Sequence, residues 1–434
     1  MRAAVCLFTR DLRLHDQPTL RAALDAAETV LPLFVRDDGI LGTPYAAPNR
    51  LAFLDGCLAD LDGSLRSIGG ALVIREGDVV AETVRVVREV GAEAVFCSLD
   101  VSPYARERER RLAAELDLRL VNAHFVVPPG EVAPAGREGY EVFTPYHRAW
   151  RGVEWGDPVG APRRLTLPKA LRGPEPRSPL SETAATVPGG EAAGRERMLR
   201  WLRQSLEGYG EAHDALAADD TSRLSPYLHF GCISARELAA KARNREGDAF
   251  VRQLCWRDFY AQLLAANPRS ATEDLRPRGD RWLDDDEAFD AWREGRTGYP
   301  LVDAGMRQLA VDGWMHNRSR LVTASFLTKD LGIDWRRGAR HFFDLLLDGD
   351  VAQNVGNWQW VAGTGVDTRP NRIFNPTAQA KRLDPDGAYI RRYVHELADV
   401  PDPLAPGLLA PDYPQPIVDH AEASRAFRAR RGVE

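Results

Sequence analysis

The sequence has few cysteines and no long apolar run. No C-x-x-C pair occurs, so neither a zinc site nor a disulfide framework is predicted, and we expect no bound metal. The five cysteines are scattered along the chain at Cys6, Cys57, Cys97, Cys232 and Cys255. Without a run of about eighteen apolar residues, a membrane span is not expected. The apolar start, residues 1–8, is too short for a signal peptide before Arg10 and Asp11. We therefore expect a protein of the reducing cytoplasm.

The sequence also lacks an excess of basic residues. Lysine and arginine together number 57 against 63 acidic residues, a formal net charge of −6. Nucleic-acid binders are usually basic, because phosphate contacts supply much of their affinity. Binding DNA would therefore need a local basic face, although on charge alone these arginines are better interpreted as solvated side chains. The candidates lie in the C-terminal half: Arg318, Arg320, Arg336, Arg337, Arg369, Arg372, Lys381, Arg382, Arg391 and Arg392.

The first part of the chain alternates apolar runs with amphipathic helical patterns. With 434 residues, 44% hydrophobic and 28% charged, we expect two or three globular domains. Buried strands are predicted at residues 5–8, 30–35, 71–74, 94–97 and 118–121, and helices at 49–68, 78–90 and 104–116. This alternation predicts a doubly wound parallel α/β sheet over residues 1–130. No G-x-G-x-x-G follows a strand, which disfavours a Rossmann dehydrogenase.

The rest of the chain is predicted to be a linker followed by helices. Prolines crowd the stretch from 152 to 194, at positions 158, 162, 168, 174, 176, 179 and 188. We therefore predict an interdomain linker at 131–194 that runs over the surface. Beyond it, apolar stripes such as those at 198–206 and 250–263 have helical spacing, and strand-like alternation is scarce. An all-α domain over residues 195–434 is expected.

Residues 348–360 combine carboxylates, carboxamides and indoles in one short stretch. A surface helix would not carry both Trp358 and Trp360, and an ordinary core helix would not carry Asp348, Asp350 and Asn354. The mixture indicates a helix end that lines a polar cavity beside a large aromatic ligand. Upstream, the hydroxyls at residues 221–222 precede an apparent helix and suit a phosphate site, although a Thr-Ser pair there is more often a helix N-cap.

Several motifs resemble the DNA photolyase/cryptochrome family, and most closely its class I cyclobutane pyrimidine dimer photolyases. They are D-G-D-V-A-Q-N-V-G-N-W-Q-W at 348–360, T-G-V-D-T-R-P at 364–370, R-I-F-N-P at 372–376, T-S-R-L-S-P at 221–226 and W-R-D-F-Y at 256–260. The similarity runs from F-T-R-D-L-R at 8–13 to about Asp384. It implies an N-terminal α/β domain, a long linker and a C-terminal helical domain that holds a folded-back FAD.

The resemblance implies a set of cofactor-binding residues. The predicted contacts to FAD are Tyr209, the pyrophosphate segment Thr221, Ser222, Arg223, Leu224 and Ser225, and Asp348, Gly349 and Asp350 around the flavin and its ribityl chain. Arg320 would form a buried ion pair with Asp348 beside the ring. Asn354 would face flavin N5, where a carboxamide can accept a hydrogen bond without adding a charge. A helix-capping role is the alternative for Asn354.

Three tryptophans match the family's electron-transfer chain. Trp358, Trp335 and Trp282 would pass electrons inward to a photoexcited oxidised flavin, since indole is among the most easily oxidised side chains. Most tryptophans only fill cores, so packing is the alternative for any one of them. The presence of tryptophan at all three matching positions favours the electron-transfer interpretation.

The substrate side is predicted to face damaged DNA. The residues implied are Gln253, Trp256, Arg257, Tyr260, Asn317, Arg318 and Trp360. An indole can stack on a flipped-out dinucleotide, edge amides can hydrogen-bond its bases, and arginine can hold phosphate. Dimer-specific relatives commonly carry Glu where Gln253 stands and Met where Leu321 stands, and His213 stands where relatives often have a DNA-contacting Arg. The histidine pair typical of (6-4) photolyases is lacking near Asn317 and Leu321.

The predicted function is light-driven repair of cyclobutane pyrimidine dimers by photoexcited reduced FAD. The alternatives are a (6-4) photolyase, a cryptochrome-type photoreceptor, and a nucleotide-binding α/β protein fused to an unrelated helical domain. An antenna chromophore is expected in the α/β domain. The segment S-P-Y-A-R at 102–106 favours 8-hydroxy-5-deazaflavin, with flavin or no antenna as alternatives. We expect a monomer that acts on UV-damaged DNA and does not bind membranes.

Overall fold

The computed structural model describes residues 1–43, 45–169, 179–181, 185–218, 220–245 and 247–433. The chain divides into two compact units. The first is Met1–Tyr209 with Ser222–Pro268, and the second is Gly210–Thr221 with Arg269–Glu434. The predicted domain limits of 1–130, 131–194 and 195–434 do not coincide with this division, because residues 195–209 and 222–268 group with the sheet. As domain limits they stay a prediction.

The first unit is built on a parallel sheet. Its strands in the described chain are β1 (Ala3–Phe8), β2 (Thr29–Asp37), β3 (Val73–Gly77), β4 (Ala94–Ser98) and β5 (Leu118–Val121), in the order β3-β2-β1-β4-β5. All adjacent pairs are parallel. Every residue of β1 is buried, as expected of a parallel strand covered on both faces. The prediction of a doubly wound parallel sheet is confirmed.

The third predicted strand is the one that shifts in position. It was expected at residues 71–74, whereas β3 is Val73–Gly77. The backbone N–H of Leu72 donates to the carboxylate of Asp62 at 2.8 Å rather than to a strand. The polar residues 75–77 pair instead with the end of β2. Hydrophobicity therefore located the apolar start of this strand but missed its polar end.

Helices cover the sheet and continue beyond the linker. Up to residue 268 they are α1 (Pro18–Ala26), α2 (Asp38–Leu41), α3 (Pro48–Ser67), α4 (Val79–Val90), α5 (Pro103–Glu115), α6 (Phe143–Arg151), α7 (Glu191–Gln204), α8 (Tyr209–Ala212), α9 (Ser225–His229), α10 (Ala235–Arg243) and α11 (Asp248–Ala266). The three helices predicted between the strands are α3, α4 and α5. The side chain of Asp78 caps α4 at its start, and Gly91 closes it with φ 64°, a left-handed conformation that favours glycine.

The predicted linker, 131–194, contains α6 and the first turn of α7, and its described residues between 152 and 190 form no helix or strand. Its backbone nevertheless bonds to the sheet domain, since Leu165 N–H donates to Ile68 at 2.8 Å and Thr166 accepts from Val30 at 3.0 Å. Positions 174 and 176, two of its prolines, lie outside the described residues. These bonds pair backbone groups of the linker with backbone groups of the sheet domain. Around residues 165–166 the linker therefore lies against the first unit.

The second unit is helical in its described part. Its helices are α12 (Asp286–Arg293), α13 (Pro300–Asp312), α14 (Asn317–Ser325), α15 (Trp335–Leu345), α16 (Val351–Ala362), α17 (Pro376–Leu383), α18 (Ala388–Tyr393) and α19 (His420–Arg430), with a π-helical turn at Phe326–Asp330 after α14. Buried aromatic and aliphatic side chains from α12 to α16 form its core. In the described parts of the chain, no helix combines the length and apolarity that crossing a membrane requires.

Candidate functional site

Asp348 and Arg320 form the predicted ion pair in the second unit. Nη2 of Arg320, on α14, donates to the carboxylate of Asp348 at 2.9 and 3.2 Å. Nε of Arg320 donates to the carbonyl of Met315 at 2.8 Å, which fixes the guanidinium. The side chain of Asp348 is 5% exposed and that of Arg320 is 24% exposed. The pair therefore ties α14 to the loop before α16.

The start of α16 shows two different uses of polar side chains. The carboxylate of Asp350 accepts from the N–H of Gln353 at 3.0 Å and so caps the helix. Asn354, one turn later, is buried, and its Nδ2 donates to the carbonyl of Ala339 on α15 at 2.9 Å. Its Oδ1 has no hydrogen-bond partner among the residues that the structure describes. Asn354 is thus not the helix cap, and its oxygen is available to a donor on a ligand.

The three predicted tryptophans all belong to the second unit. Trp358 and Trp335 are buried, at 2% and 1% exposure, and Trp282 is half-buried. The ring of Trp358 packs edge-on against Phe342 at 4.9 Å and against Trp292 at 6.1 Å. Ring contacts among the three predicted tryptophans are not found within the described residues. Their order as an electron-transfer chain stays a prediction.

Trp292 is a neighbour of Trp358 that the sequence interpretation missed. It is fully buried on α12, and its Nε1 donates to the carbonyl of Thr323 at 3.0 Å. Nothing in the sequence around residue 292 distinguishes it from a core tryptophan. Its contact with Trp358 exists only because α12 and α16 share one core.

The loop after α16 is held by two buried cations that the sequence interpretation also missed. Nζ of Lys329 donates to the carbonyls of Pro370 at 2.9 Å and Arg372 at 2.5 Å. Burial lowers the pKa of Lys329 from 10.5 to about 7. Arg431, at the end of α19, donates to the carbonyl of Pro370 and to both carboxylate oxygens of Asp280. These contacts make the loop after α16 a fixed part of the second unit.

Segment 222–225, predicted to contact phosphate, belongs to the first unit. Nε of Arg197 donates to the carbonyl of Ser222 at 2.7 Å. Arg223 has φ 48°, an uncommon value for a residue with a side chain, and such strain concentrates at functional sites. The following helix α9 begins without a side-chain cap, so the N-cap interpretation is wrong. Thr221 falls in the second unit.

Tyr209 is packed between aromatic side chains. Its ring lies edge-on to Trp201 at 5.6 Å and to Phe250 at 5.4 Å. The side chain is half-buried. Its predicted contact with FAD stays a prediction.

Four predicted substrate residues share one face of α11, because Gln253, Trp256, Arg257 and Tyr260 follow helical spacing. Gln253 is exposed and Trp256 is half-buried. The ring of Trp256 is stacked face to face on the ring of Phe143, with centroids 3.7 Å apart and planes within 2° of parallel. It is tilted against the ring of Tyr260, with centroids 5.6 Å apart. One face of the indole is therefore already covered within the first unit.

Arg257 is engaged by its own unit. Its Nη1 donates to the carbonyl of His124 at 2.7 Å, and its guanidinium lies 5.6 Å from the ring of Phe125. The next residue, Asp258, accepts from Trp150 Nε1 and from Val127 N–H, both at 2.9 Å. Burial raises the pKa of Asp258 to about 6. These contacts make the Arg257–Asp258 pair part of the packing under α11, and a phosphate contact by Arg257 stays a prediction.

The predicted substrate residues of the second unit differ in their surroundings. Asn317 is exposed at the start of α14. Arg318 donates from Nε to Asp214 at 2.5 Å, and Arg382 donates to the other oxygen of that carboxylate at 2.8 Å. Burial alone would raise the pKa of Asp214, but the hydrogen bonds from Arg382 and Arg318 outweigh it and leave the pKa below its usual value. Asp214 thus offsets part of the positive charge expected to face DNA.

Trp360 is the last predicted substrate residue of the second unit. It is half-buried near the end of α16, and the guanidinium of Arg372 lies 5.2 Å from its ring. The ring also packs against the hydrophobic core of the second unit, and its predicted contact with the substrate stays a prediction.

The segment predicted to bind an antenna follows β4. Ser102 caps α5, and the hydroxyl of Tyr104 donates to Asp37 at the end of β2. Nε and Nη2 of Arg108, on α5, are buried and have no hydrogen-bond partner among the described residues. Ligands of doubly wound sheets bind at this carboxyl edge, and an acceptor group on such a ligand would satisfy Arg108. The identity of the antenna stays a prediction.

Comparisons with known proteins agree with this organisation. A family model described as "DNA photolyase" matches residues 4–163, and one described as "FAD binding domain of DNA photolyase" matches residues 250–432. A deoxyribodipyrimidine photo-lyase of Streptomyces griseus is 50% identical over 455 residues, with all of both chains covered. The chain belongs to the DNA photolyase family. The suspected family is confirmed, and the alternative of an unrelated helical domain is wrong.

Solved structures place this photolyase-family chain close to two kinds of relative. A bacterial class III photolyase from Agrobacterium tumefaciens has a TM-score of 0.91 at 33% identity, covering 100% of this chain and 97% of that one. A cryptochrome from Synechocystis sp. also has a TM-score of 0.91, at 27% identity, covering 100% and 99%. The fold and the FAD-binding domain are therefore established, whereas the fold does not separate repair from photoreception.

Proposed function

We propose that this protein splits cyclobutane pyrimidine dimers in UV-damaged DNA, using light and bound FAD. The observation that carries the proposal is the hydrogen bonding of Asn354, a buried residue. Its Nδ2 donates to the carbonyl of Ala339, and its Oδ1 has no hydrogen-bond partner among the described residues. Reduced FAD, when bound and photoexcited, supplies the electron that opens the cyclobutane ring. The name of the Streptomyces griseus relative supports the same activity.

Asn354 would orient the flavin without changing its charge. A carboxamide oxygen accepts a hydrogen bond from a ring N–H, and at neutral pH it neither gives nor takes a proton. The bond from Nδ2 to Ala339 holds the amide plane, so the oxygen keeps one direction. The Arg320–Asp348 pair would add a fixed dipole beside the ring, because both members are held by further bonds to the backbone or by burial.

The dimer would be recognised by the exposed face of α11. Gln253 can both donate and accept hydrogen bonds to bases, unlike a carboxylate. Trp256 can stack on a flipped-out base with the face that Phe143 does not cover, an interaction worth about 1–3 kcal/mol per base. A pyrimidine dimer is also easier to extrude than a normal pair, because its distortion has already weakened stacking.

Cryptochrome-type photoreception is the second candidate function, since the Synechocystis cryptochrome has the same fold. An exposed Gln253 beside a half-buried Trp256 favours repair, because a photoreceptor has no need of a base-binding surface. We further propose that cyclobutane dimers are preferred to (6-4) products. The protein is proposed to act as a monomer in the cytoplasm.

One assay tests the proposed function. Purified protein with reduced FAD is irradiated with blue light in the presence of oligonucleotides that contain either a cyclobutane dimer or a (6-4) product, and restored thymines are counted. We expect light-dependent restoration from the dimer alone and none in the dark. Restoration of only the (6-4) product would reverse the lesion preference, and restoration of neither would favour the photoreceptor.

A further inference from the structure

Trp335 has a carboxylate at its indole nitrogen. Its Nε1 donates to Oδ1 of Asp274 at 2.8 Å, and the tryptophan is 1% exposed. The same oxygen of Asp274 accepts from Nη2 of Arg336 at 2.8 Å. The guanidinium of Arg336 lies 4.7 Å from the indole ring. A buried indole thus has one anionic hydrogen-bond acceptor and one neighbouring cation.

The position of Asp274 is imposed by the surrounding loop. Gln359 on α16 donates from Nε2 to the carbonyls of Ser270 at 2.7 Å and Glu273 at 3.0 Å, and its Oε1 accepts from Leu275 N–H at 2.8 Å. Nε of Arg336 donates to the carbonyl of Thr272 at 2.7 Å. Gln359 is 2% exposed, so its own three bonds are largely shielded from water. These bonds fix the backbone on both sides of Asp274, and the carboxylate itself is held by Trp335 and Arg336.

A carboxylate in this place changes the chemistry of an oxidised indole. Removing one electron leaves a positive charge on the ring and makes its N–H strongly acidic. A carboxylate that already accepts this hydrogen bond stabilises the charge and lies in position to take the proton. Because the indole is 1% exposed, the carboxylate of Asp274 at Nε1 is the direct acceptor that the structure offers for this proton.

We propose that Asp274 is the proton acceptor for oxidised Trp335, an inference that rests on the proposed electron-transfer role of the tryptophans. Trp335 would give one electron to oxidised Trp358, and bound oxidised FAD, activated by light, would be the acceptor that had taken the electron from Trp358. The Nε1 proton moves to Oδ1 of Asp274. Trp335 becomes a neutral radical and Asp274 a neutral acid, so charge and protons balance, and both steps reverse when the electron returns.

The consequence is a longer-lived separated charge within the protein. A neutral radical must regain its proton before or as it is reduced, which slows return of the electron from the flavin side. Asp274 is therefore a positioning and proton-accepting residue that acts through Trp335. Its effect is visible in the protonation state of the radical, which a purely structural hydrogen bond would not change.

The experiment isolates Trp335 as the last donor. In a Trp282→Phe background, Asp274→Asn keeps an acceptor at the indole but removes its charge and basicity. Asp334→Asn is the matched control, because the carboxylate of Asp334 also accepts from Arg336, at 3.1 Å, and caps α15 but forms no hydrogen bond with the indole N–H of Trp335. Each protein is loaded with oxidised FAD, its flavin content is measured, and transient absorption distinguishes the cationic from the neutral tryptophan radical.

We expect a neutral radical in the Trp282→Phe parent and in the Asp334→Asn control. In Asp274→Asn the radical should remain cationic, with loss of the N–H proton slowed about tenfold or more, the equivalent of at least one pKa unit of acceptor basicity. In the parent, the same step should be slower in D2O, a measurement that does not depend on the variant folding.

Two results would overturn the proposal, and they are distinguishable. A radical that stays cationic in the parent, or is equally neutral in Asp274→Asn, would remove the role of Asp274 and leave electron transfer intact. If no tryptophan radical formed in any variant that retains FAD, both the electron-transfer role of the tryptophans and this inference would fail.

Discussion

Gly338 lies where the structure leaves no room for a side chain. It is buried on α15, and a Cβ atom added there would come within 2.2 Å of Trp358 and 2.5 Å of Leu327. Such contacts are far shorter than van der Waals distance, and both neighbours belong to the core of the second unit. Gly338→Ala should therefore push the Trp358 ring away from α15.

The magnitude follows from two opposing effects. Replacing glycine by alanine inside a helix gains about 1 kcal/mol of helix propensity, whereas overpacking a close-packed core costs about 1–3 kcal/mol. Because the overlap at Gly338 involves an indole ring that is itself packed on two aromatic side chains, we expect the upper part of that range. The net expectation is a loss of about 1–2 kcal/mol in the free energy of unfolding.

Gly63→Ala is the matched control. Gly63 is an exposed interior residue of α3, and a Cβ there would meet nothing within 4 Å. This substitution should stabilise by about 0.5–1 kcal/mol. Denaturant unfolding of both variants, with flavin photoreduction recorded for Gly338→Ala, checks the pair. If Gly338→Ala were as stable as Gly63→Ala, the reasoning about the Trp358 contact would be refuted.

Three further predictions concern a buried lysine, an aromatic stack and an exposed amide. Between about pH 7 and 10.5 the unfolded chain binds a proton that folded Lys329 has released, so its contribution makes the free energy of unfolding rise with pH, by at most about 1.4 kcal/mol per pH unit. Lys329→Met should lose this slope in denaturant titrations, and an unchanged slope would contradict the lowered pKa. Phe143→Leu removes the ring that is stacked on Trp256, and such an aromatic pair contributes about 0.5–1.5 kcal/mol. Affinity for a dimer-containing oligonucleotide, measured by fluorescence anisotropy, should therefore fall roughly two- to tenfold. Undamaged duplex serves as its reference, and an equal loss on both would show a general rather than a dimer-specific effect. Gln253→Glu should keep or raise dimer affinity in the same assay, since a carboxylate accepts stronger hydrogen bonds from base N–H groups than a carboxamide does, and a collapse in binding would show that Gln253 plays another part.

The sequence by itself determined the strands of the sheet in the first unit and the helices α3, α4 and α5 between them. Continuous apolar runs alternate with amphipathic helical patterns from residue 3 to residue 121. A parallel strand that is buried on both faces is recognised in a sequence by such a continuous apolar run. It also determined which short segments carry polar and aromatic residues in unusual combination, above all residues 348–360. Those combinations led to the family, and the FAD-binding domain followed from it.

Only the tertiary structure decided how individual side chains are used. Asp350 and Asn354 are similar in sequence context, yet their side chains have different roles. Asp350 caps α16, whereas Asn354 donates from Nδ2 to Ala339 and has an Oδ1 without a hydrogen-bond partner among the described residues. Asp274, Lys329 and Arg431 carried no motif, because their importance comes from partners more than forty residues away or on other elements. Hydrophobic periodicity reports which face of an element is buried. It does not report which hydrogen bonds remain unsatisfied there, since these depend on atoms that only the folded chain brings together.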